Sequence, residues 1–387
     1  MAAASRSDRV QPCLLFLVSE DWYFVSHRLR LAEAALQRGY RVILVARFAA
    51  HRDLIERAGI ETVPFNIGRS GTNPAGALLT LARLRRLYRR LAPDLVYQVA
   101  LKPVLLGSLA ARLAGVRRRV DALGGLGFLF GEHSGRQAPL RAVARLAMGR
   151  LLRGDEIIVQ NEDDRALLLR SGLPAPRLHL IPGAGVDLER FRALPEPAAR
   201  PVVITLVSRM LWEKGVGELV EAARLLARRG VAAQVRLVGR PDPENPRTIA
   251  ADRLAAWDAE GVVEWRGARD DIPAVWAESH VAVLPSYYRE GLPKALMEAA
   301  ACGRPIVTTD RPGCRDAVLP GESGLLVPAR DPAVLADALE RLVEDGALRR
   351  RMGARARQDA EQRFSDALIN GRILDLCDGL LARAAAG

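Results

Sequence analysis

The reading of this chain turns on Val281-Ala-Val-Leu284-Pro-Ser-Tyr-Tyr-Arg-Glu290-Gly-Leu-Pro-Lys294-Ala-Leu-Met-Glu298-Ala-Ala-Ala-Cys-Gly303. Val281–Leu284 is a continuous apolar run of strand length, the pattern of a strand covered on both faces. Pro293 suits the first turn of a helix, where its missing N–H is an orphan in any case, and Gly303 suits the stop. A buried strand, a loop and a helix in that order make one unit of a parallel α/β sheet. In such a unit the backbone N–H groups at Gly291 and Leu292 would be free donors at the positive end of a helix dipole, a ready diphosphate site. Glu290 lies in the loop, and Glu298 lies five residues beyond Pro293, about 7.5 Å along a helix rising 1.5 Å per residue. Lys294 and Glu298, four apart, share a helix face. An amphipathic helix with a surface ion pair is the plainer reading, but Arg-Glu-Gly-Leu-Pro directly after a buried strand has no packing rationale.

The same rhythm runs through the rest of the chain. Strand-sized runs occur at 13–18, 42–46, 60–65, 95–99, 119–122, 156–160 and 178–182, then at 202–207, 234–238, 262–265, 281–284 and 305–308. Helical patterns separate them, at 27–38, 74–91, 103–114 and 141–152 in the first series. Pro182-Gly-Ala-Gly-Val-Asp187 and a Pro-rich stretch from Ala193 to Pro201 form an irregular junction. The chain of 387 residues is long for one core. It is predicted to be α/β, with two Rossmann-like doubly wound domains facing a cleft: residues 1–190, residues 191–365 and a closing helix over 366–387. Ligands of such sheets bind beyond the carboxyl ends of the strands. No Gly-x-Gly-x-x-Gly follows the first strand, and there is no P-loop and no Asp-x-Asp, so a nicotinamide enzyme, an NTPase and a metal-bridged sugar transferase lose ground. The four cysteines are scattered, which argues against a zinc site or a disulfide framework.

A second constellation, Ser208-Arg209-Met-Leu-Trp-Glu-Lys214-Gly215, follows the first strand of the second series. Of 57 basic residues only Lys102, Lys214 and Lys294 are lysine. Where composition favours arginine so strongly, a lysine in each candidate loop points to a compact ammonium beside phosphate oxygens.

Ser208-Arg209 with Lys214-Gly215, followed by Glu290 and Glu298 eight residues apart, resembles the signature of family 4 retaining glycosyltransferases of the GT-B fold. Ser19-Glu-Asp-Trp-Tyr-Phe-Val-Ser-His-Arg28, Gly125-Leu-Gly-Phe-Leu-Phe130 and Gly239-Arg-Pro-Asp-Pro-Glu-Asn-Pro246 resemble its bacterial branch that builds O-antigen, capsule or exopolysaccharide on polyprenyl-diphosphate carriers. The resemblance implies a nucleotide-sugar donor, a UDP-sugar above all, a lipid-linked saccharide acceptor, and no metal or other cofactor. Arg209 and Lys214 would neutralise the leaving diphosphate, and Glu290 would hold donor sugar hydroxyls. Gly291 and Leu292 would bind the distal phosphate, Glu298 the ribose, and the loop Arg269–Ile272 would face the base. Lys294 joins them as a donor-binding candidate beside Glu298. Ser19–Tyr23 stands where many members carry a Gly-rich loop, a departure from the pattern at that expected contact with the donor phosphate. His27, Trp22 and His133 are acceptor-side candidates; capping or packing is the plainer role for each.

Net charge is +12, and all of it resides before residue 191: residues 1–190 hold 29 Lys+Arg against 17 Asp+Glu, and the remainder balances. Leu84, Leu87 and Leu91 share one face of the 74–91 helix, and Arg83, Arg85, Arg86, Arg89 and Arg90 occupy the rest. This favours peripheral attachment to anionic lipid, with the protein expected on the cytoplasmic face of the inner membrane. No run is long and apolar enough to span a bilayer, and the first residues lack a signal peptide's features. A nucleic-acid binder is disfavoured because the basic residues are not interleaved with aromatics on a reader module. A metal-independent nucleotide-sugar epimerase on the same fold is the main rival, and a non-catalytic scaffold a weaker one.

Overall fold

The computed structural model describes residues 11–67, 74–126, 148–198 and 200–385. The first half builds β1 (Cys13–Glu20), α1 (Asp21–His27), α2 (Leu29–Gln37), β2 (Arg41–Arg47), α3 (Arg52–Arg57), β3 (Glu61–Pro64), α4 (Pro74–Leu91), β4 (Leu95–Val99), α5 (Leu101–Ala114), β5 (Arg119–Leu123), β6 (Glu156–Val159), α6 (Glu162–Arg170) and β7 (Leu178–Leu180). Its sheet is parallel, in the order β3-β2-β1-β4-β5-β6-β7. The second half builds β8 (Val202–Val207), α7 (Val216–Arg228), β9 (Ala233–Val238), α8 (Ala251–Ala259), β10 (Glu264–Trp265), α9 (Ile272–Ala277), β11 (Val281–Leu284), α10 (Lys294–Ala301), β12 (Ile306–Thr309), β13 (Gly324–Val327), α11 (Pro332–Glu344) and α12 (Gly346–Asp359). Its parallel sheet runs β10-β9-β8-β11-β12-β13. The long helix α13 (Asp366–Ala385) closes the chain.

Why the strands read as unbroken apolar runs is visible in β1. Leu14, Phe16 and Val18 enter one core with Phe24, Leu31 and Ala35, while Cys13, Leu15 and Leu17 enter another with Leu84, Leu87 and Ala110. Helices cover both faces, so both parities must be apolar. The second domain gathers one large core around Leu206, Leu237, Val283, Met297 and Leu339.

Helix α13 follows the second domain in sequence but packs on the first: Ile369, Ile373, Leu374 and Cys377 share the core of Leu31 and Ala35. The chain therefore crosses between domains twice. The two crossings are tied together, Val186 N–H donating to Phe364 O at 2.8 Å and Asp366 N–H to Val186 O at 3.0 Å.

Two expectations are corrected. The first helix does not start at His27: β1 runs through Glu20 and α1 begins at Asp21 with no intervening loop, so His27 ends that helix. The buried Asp21 carboxylate takes the N–H groups of Trp22, Ala49, Ala50 and His51, which holds Asp21 at the strand end where the helix begins. Strand β13 was not anticipated; Gly324-Leu-Leu-Val327 is short and follows a Gly-Glu-Ser turn. The predicted 141–152 helix lies largely outside the described residues, which hold a helical turn at 148–151.

Candidate functional site

In a doubly wound sheet the crevice lies where the strand order reverses. That point falls between β1 and β4 in the first domain and between β8 and β11 in the second. The segments leaving those strands are α1, Ala100, residues 208–215 and residues 285–293. Ala100 takes φ 74 and ψ 158, a conformation that side chains disfavour, at the carboxyl end of β4.

The two loops of the second domain are locked to each other. Gly215 has φ 75, and a Cβ there would come within 2.1 Å of Pro285 O, so only glycine lets them meet. Tyr287 N–H donates to Glu213 O at 3.1 Å, and Ser286 Oγ lies 3.0 Å from the same carbonyl. This closure brings Lys214 Nζ to 2.6 Å from Glu290 Oε1, with Ser286 Oγ 2.8 Å from that oxygen. Lys214 and Glu290 side chains are only 15% and 12% exposed, so their attraction is stronger than between surface charges. Burial pushes the neighbouring Glu213 carboxyl up, with Lys214 opposing and Glu290 reinforcing. Arg209 donates from Nη1 to Asp242 Oδ2 at 2.7 Å and remains 41% exposed, free to exchange partners.

Helix α10 starts at Lys294 with Pro293 as the residue before its first turn. The Leu292 N–H, expected as a free phosphate donor, is not free: it donates to Gln160 Oε1 of the first domain at 2.8 Å, because the domains meet here. Gly291 lies so close to that domain that a Cβ on it would fall 2.2 Å from Gln160 Oε1. Glu298 is buried on α10, 3.2 Å from Lys294 Nζ; burial raises its pKa and Lys294 opposes the rise. Lys294 Nζ also donates to Ser26 O of α1 at 2.6 Å, a second bond across the cleft.

His27 faces this junction. Its ring stacks on Tyr23 with centroids 4.1 Å apart, and its Nδ1 lies 3.3 Å from Tyr23 O. A carbonyl only accepts, so Nδ1 carries the proton and Nε2 the lone pair. Burial, then the cations Lys294 and Arg28, push its pKa down to about 3. Trp22 is half-buried with its ring edge-on to Tyr23 at 5.9 Å. Ile272, placed by expectation near a base, opens α9 and packs at the margin of the second domain's core. His133 lies outside the described residues.

Residues 201–345 match the family model described as glycosyl transferases group 1, and residues 13–161 match the one described as glycosyl transferase 4-like. A GDP-mannose-dependent α-(1-6)-phosphatidylinositol monomannoside mannosyltransferase of Mycobacterium tuberculosis is 31% identical over 318 residues, 77% of this chain and 79% of that protein. The chain belongs to the group 1, family 4-like glycosyltransferases. A second relative of this glycosyltransferase is an N,N'-diacetylbacillosaminyl-diphospho-undecaprenol α-1,3-N-acetylgalactosaminyltransferase of Campylobacter jejuni, 27% identical over 92% of this chain and 95% of that one. The fold matches that of Anabaena HepE in complex with UDP-glucose, at TM-score 0.76 and 21% identity over 95% and 99% of the two chains. The two parallel-sheet domains are thus the GT-B architecture.

The structure gathers Arg209, Lys214, Glu290, Gly291, Leu292, Lys294 and Glu298 of this glycosyltransferase around one cleft, with His27 on the opposite lip. Sequence reasoning missed Gln160, Asn161, Ser286 and Ser26. Gln160 and Asn161 follow a strand and so stood at a legible position, but their bonds to the 290–292 backbone cross the domain interface, about 130 residues away in sequence.

Proposed function

We propose that this glycosyltransferase moves a hexose or N-acetylhexosamine unit from a nucleotide-diphosphate donor, a UDP-sugar, to a polyprenyl-diphosphate-linked saccharide, with retention at the anomeric carbon. The observation that carries the reading is the Lys214–Glu290 pair, shielded and set beside Arg209 at the switch point of the second sheet. Support for the acceptor class comes from the relative acting on a diphospho-undecaprenol-linked sugar, and for the donor from the fold neighbour in complex with UDP-glucose. A role in cell-surface polysaccharide assembly follows from the same kinship.

In this reading Arg209 and Lys214 exchange their carboxylate partners for the donor diphosphate and stabilise the charge that grows as the sugar–phosphate bond breaks. Glu290, released from Lys214, accepts hydrogen bonds from sugar hydroxyls, and Glu298 meets the ribose. The acceptor oxygen bonds to the anomeric carbon, and its proton goes to the departing phosphate oxygen on the same face. The chain's own cations carry the charge, without a metal. The acceptor enters past His27 and Trp22. His27, neutral with its lone pair on Nε2, can accept from a hydroxyl and cannot add positive charge.

Helix α4 would hold the enzyme at an anionic membrane face on the cytoplasmic side. Leu78 and Leu79 are 67% and 53% exposed at its start, ahead of exposed Arg83, Arg86 and Arg90, the composition of an interfacial helix. Among the described residues no helix is long and apolar enough to cross a membrane. The test is radiolabel transfer into lipid extract from UDP-, GDP- and dTDP-sugars, with Glu290→Ala as control. Label from one donor, reduced roughly a hundred-fold or more in the variant, is the expected result; a fully active variant would overturn the site.

A further inference from the structure

The carboxyl end of β6 meets the 289–292 loop of the other domain through side chains that no substrate-binding role accounts for. Asn161 Nδ2 lies 3.2 Å from Glu290 O and 3.3 Å from Gly291 O, and can donate to both. Gln160 Oε1 accepts the next N–H, that of Leu292, at 2.8 Å. Three consecutive residues, Glu290 to Leu292, are therefore read in order by two consecutive amides of the first domain. Below them Arg289 Nε meets the fully buried Asp164 carboxylate at 2.5 Å. Burial raises the pKa of that carboxyl and the Arg289 guanidinium opposes the rise.

Backbone geometry on both sides is cut to this fit. A Cβ on Gly125 would lie 2.9 Å from Gly291 N, and a Cβ on Gly313 would lie 1.9 Å from Gly291 O. Gly125 and Gly313 have φ of 114 and 83, open to glycine and strained for other residues. The Glu290–Gly291 peptide is thus held from the first domain on one side and from the 310–316 loop on the other.

Asn161 has a second task. It is the N-cap of α6, its Oδ1 accepting from Asp164 N–H at 2.8 Å. One amide end starts a helix of its own domain and the other end reaches across. An asparagine does both, its Nδ2 lying 3.2 Å from Asp164 Oδ2 as well; aspartate keeps the cap oxygen but has no N–H to give and would set a carboxylate against two carbonyl oxygens and the Asp164 carboxylate.

We propose that Gln160 and Asn161 are positioning residues that align Glu290 for transfer only when the first domain has docked on the 289–292 loop. The inference rests on reading Glu290 as the group that holds the donor sugar. Nucleotide binding to the second domain alone needs neither amide, whereas the transfer step needs both. Aligning a catalytic carboxylate by domain closure keeps an open enzyme from splitting its donor with water.

The test uses the full chain carrying Asn161→Asp, with Asn161→Ala and Glu290→Ala in parallel. The native cysteines Cys13, Cys302, Cys314 and Cys377 are all buried, so spin labels introduced through Arg57→Cys and Arg228→Cys report the interdomain distance by electron–electron resonance. Three results are expected for Asn161→Asp: a folded protein of somewhat lower melting temperature, since the new carboxylate lies beside buried Asp164, a new population at longer distance with and without UDP, and a transfer rate lower by roughly ten- to a hundred-fold at unchanged donor KM. Asn161→Ala, which also loses the cap, should lower the melting temperature and the transfer rate together. A wild-type distance distribution and wild-type kcat in Asn161→Asp would overturn the proposal, as would a parent protein that stays open even with nucleotide. Glu290→Ala separates the two readings: it should abolish transfer and keep the closed distance. Full activity of that variant would sink the donor-site reading, while the distance result would still judge the clasp.

Discussion

The two lips of the cleft share a plan, a parallel sheet with its crevice at the reversal of strand order, and they handle charge differently. On the second domain's lip Lys214 and Arg209 are cations already paired with carboxylates, Glu290 at 2.6 Å and Asp242 at 2.7 Å. A diphosphate can replace either partner without dehydrating a bare ion, which is where much of the expense of a buried charge lies. On the first domain's lip the ionisable groups are withdrawn from use. Asp21 is fully buried, its carboxylate taking the N–H groups of Ala49, Ala50 and His51 at 2.8, 3.0 and 2.9 Å and that of Trp22 at 2.7 Å. His27 is neutral. The basic excess of the first half shows elsewhere, on α4, whose Leu84 and Leu87 pack on the face of the sheet opposite Phe24 and Leu31. The cations at the second domain's switch point are thus paired, with Lys214 shielded and Arg209 partly exposed, and the abundant charge of the first half lies exposed on α4.

The largest break in this comparison should come from Lys214→Ala. Glu290 and Glu213 would then share a shielded site without their ammonium. Transfer should fall roughly a hundred-fold, and stability by about 1–3 kcal/mol, read by chemical denaturation. Wild-type transfer would mean that the pair is a structural tie and nothing more.

Asp21→Ala should matter less for transfer and more for folding. It strands backbone N–H groups at 49–51 and should lower stability by about 2–4 kcal/mol. Burial works against the Asp21 charge, but the backbone donors outweigh it and hold the carboxyl below the usual range. A depressed carboxyl stabilises above its unfolded pKa of about 3.9 and loses that contribution as pH falls through the folded value. Wild type should therefore lose stability below about pH 4 more steeply than Asp21→Ala. Parallel acid profiles would contradict the assignment.

The smallest effect, an absence, concerns His27. With a pKa near 3, its ring protons should show no titration shift by NMR between about pH 5 and 8. Protons bind preferentially to the unfolded chain between pH 3 and about 6.5, so this group's contribution weakens as pH falls through that window. A midpoint above pH 5 would place a charge on the first lip and blur the contrast.

How much of this was legible in the sequence follows the same division. Strands at 95–99, 202–207 and 281–284 and the helix at 74–91 were readable to the residue, because buried parallel strands and their turn residues are local signals. The helix after the 285–293 loop was readable because Pro293 and Gly303 are local signals too. What the sequence could not give is what the second domain needs from the first. The Leu292 N–H reads as free in sequence but is bonded to Gln160, and Lys294, four residues from Glu298, also bonds Ser26 across the interface. The α1 boundary was misplaced because Asp21, which reads as a loop residue, is satisfied by a segment 28 to 30 positions away. Contacts of that range leave no periodic trace.

The central claim, that the donor's diphosphate is held by paired cations of the second domain and not by the basic half, is most directly tested by calorimetric titration with UDP, GDP and dTDP. Wild type is compared with Arg209→Ala and with the double variant Arg86→Glu, Arg90→Glu. The expected result is one preferred nucleotide, bound about ten-fold or more weaker by Arg209→Ala and equally well by the α4 variant. Affinity lost in the α4 variant and retained in Arg209→Ala would contradict the account.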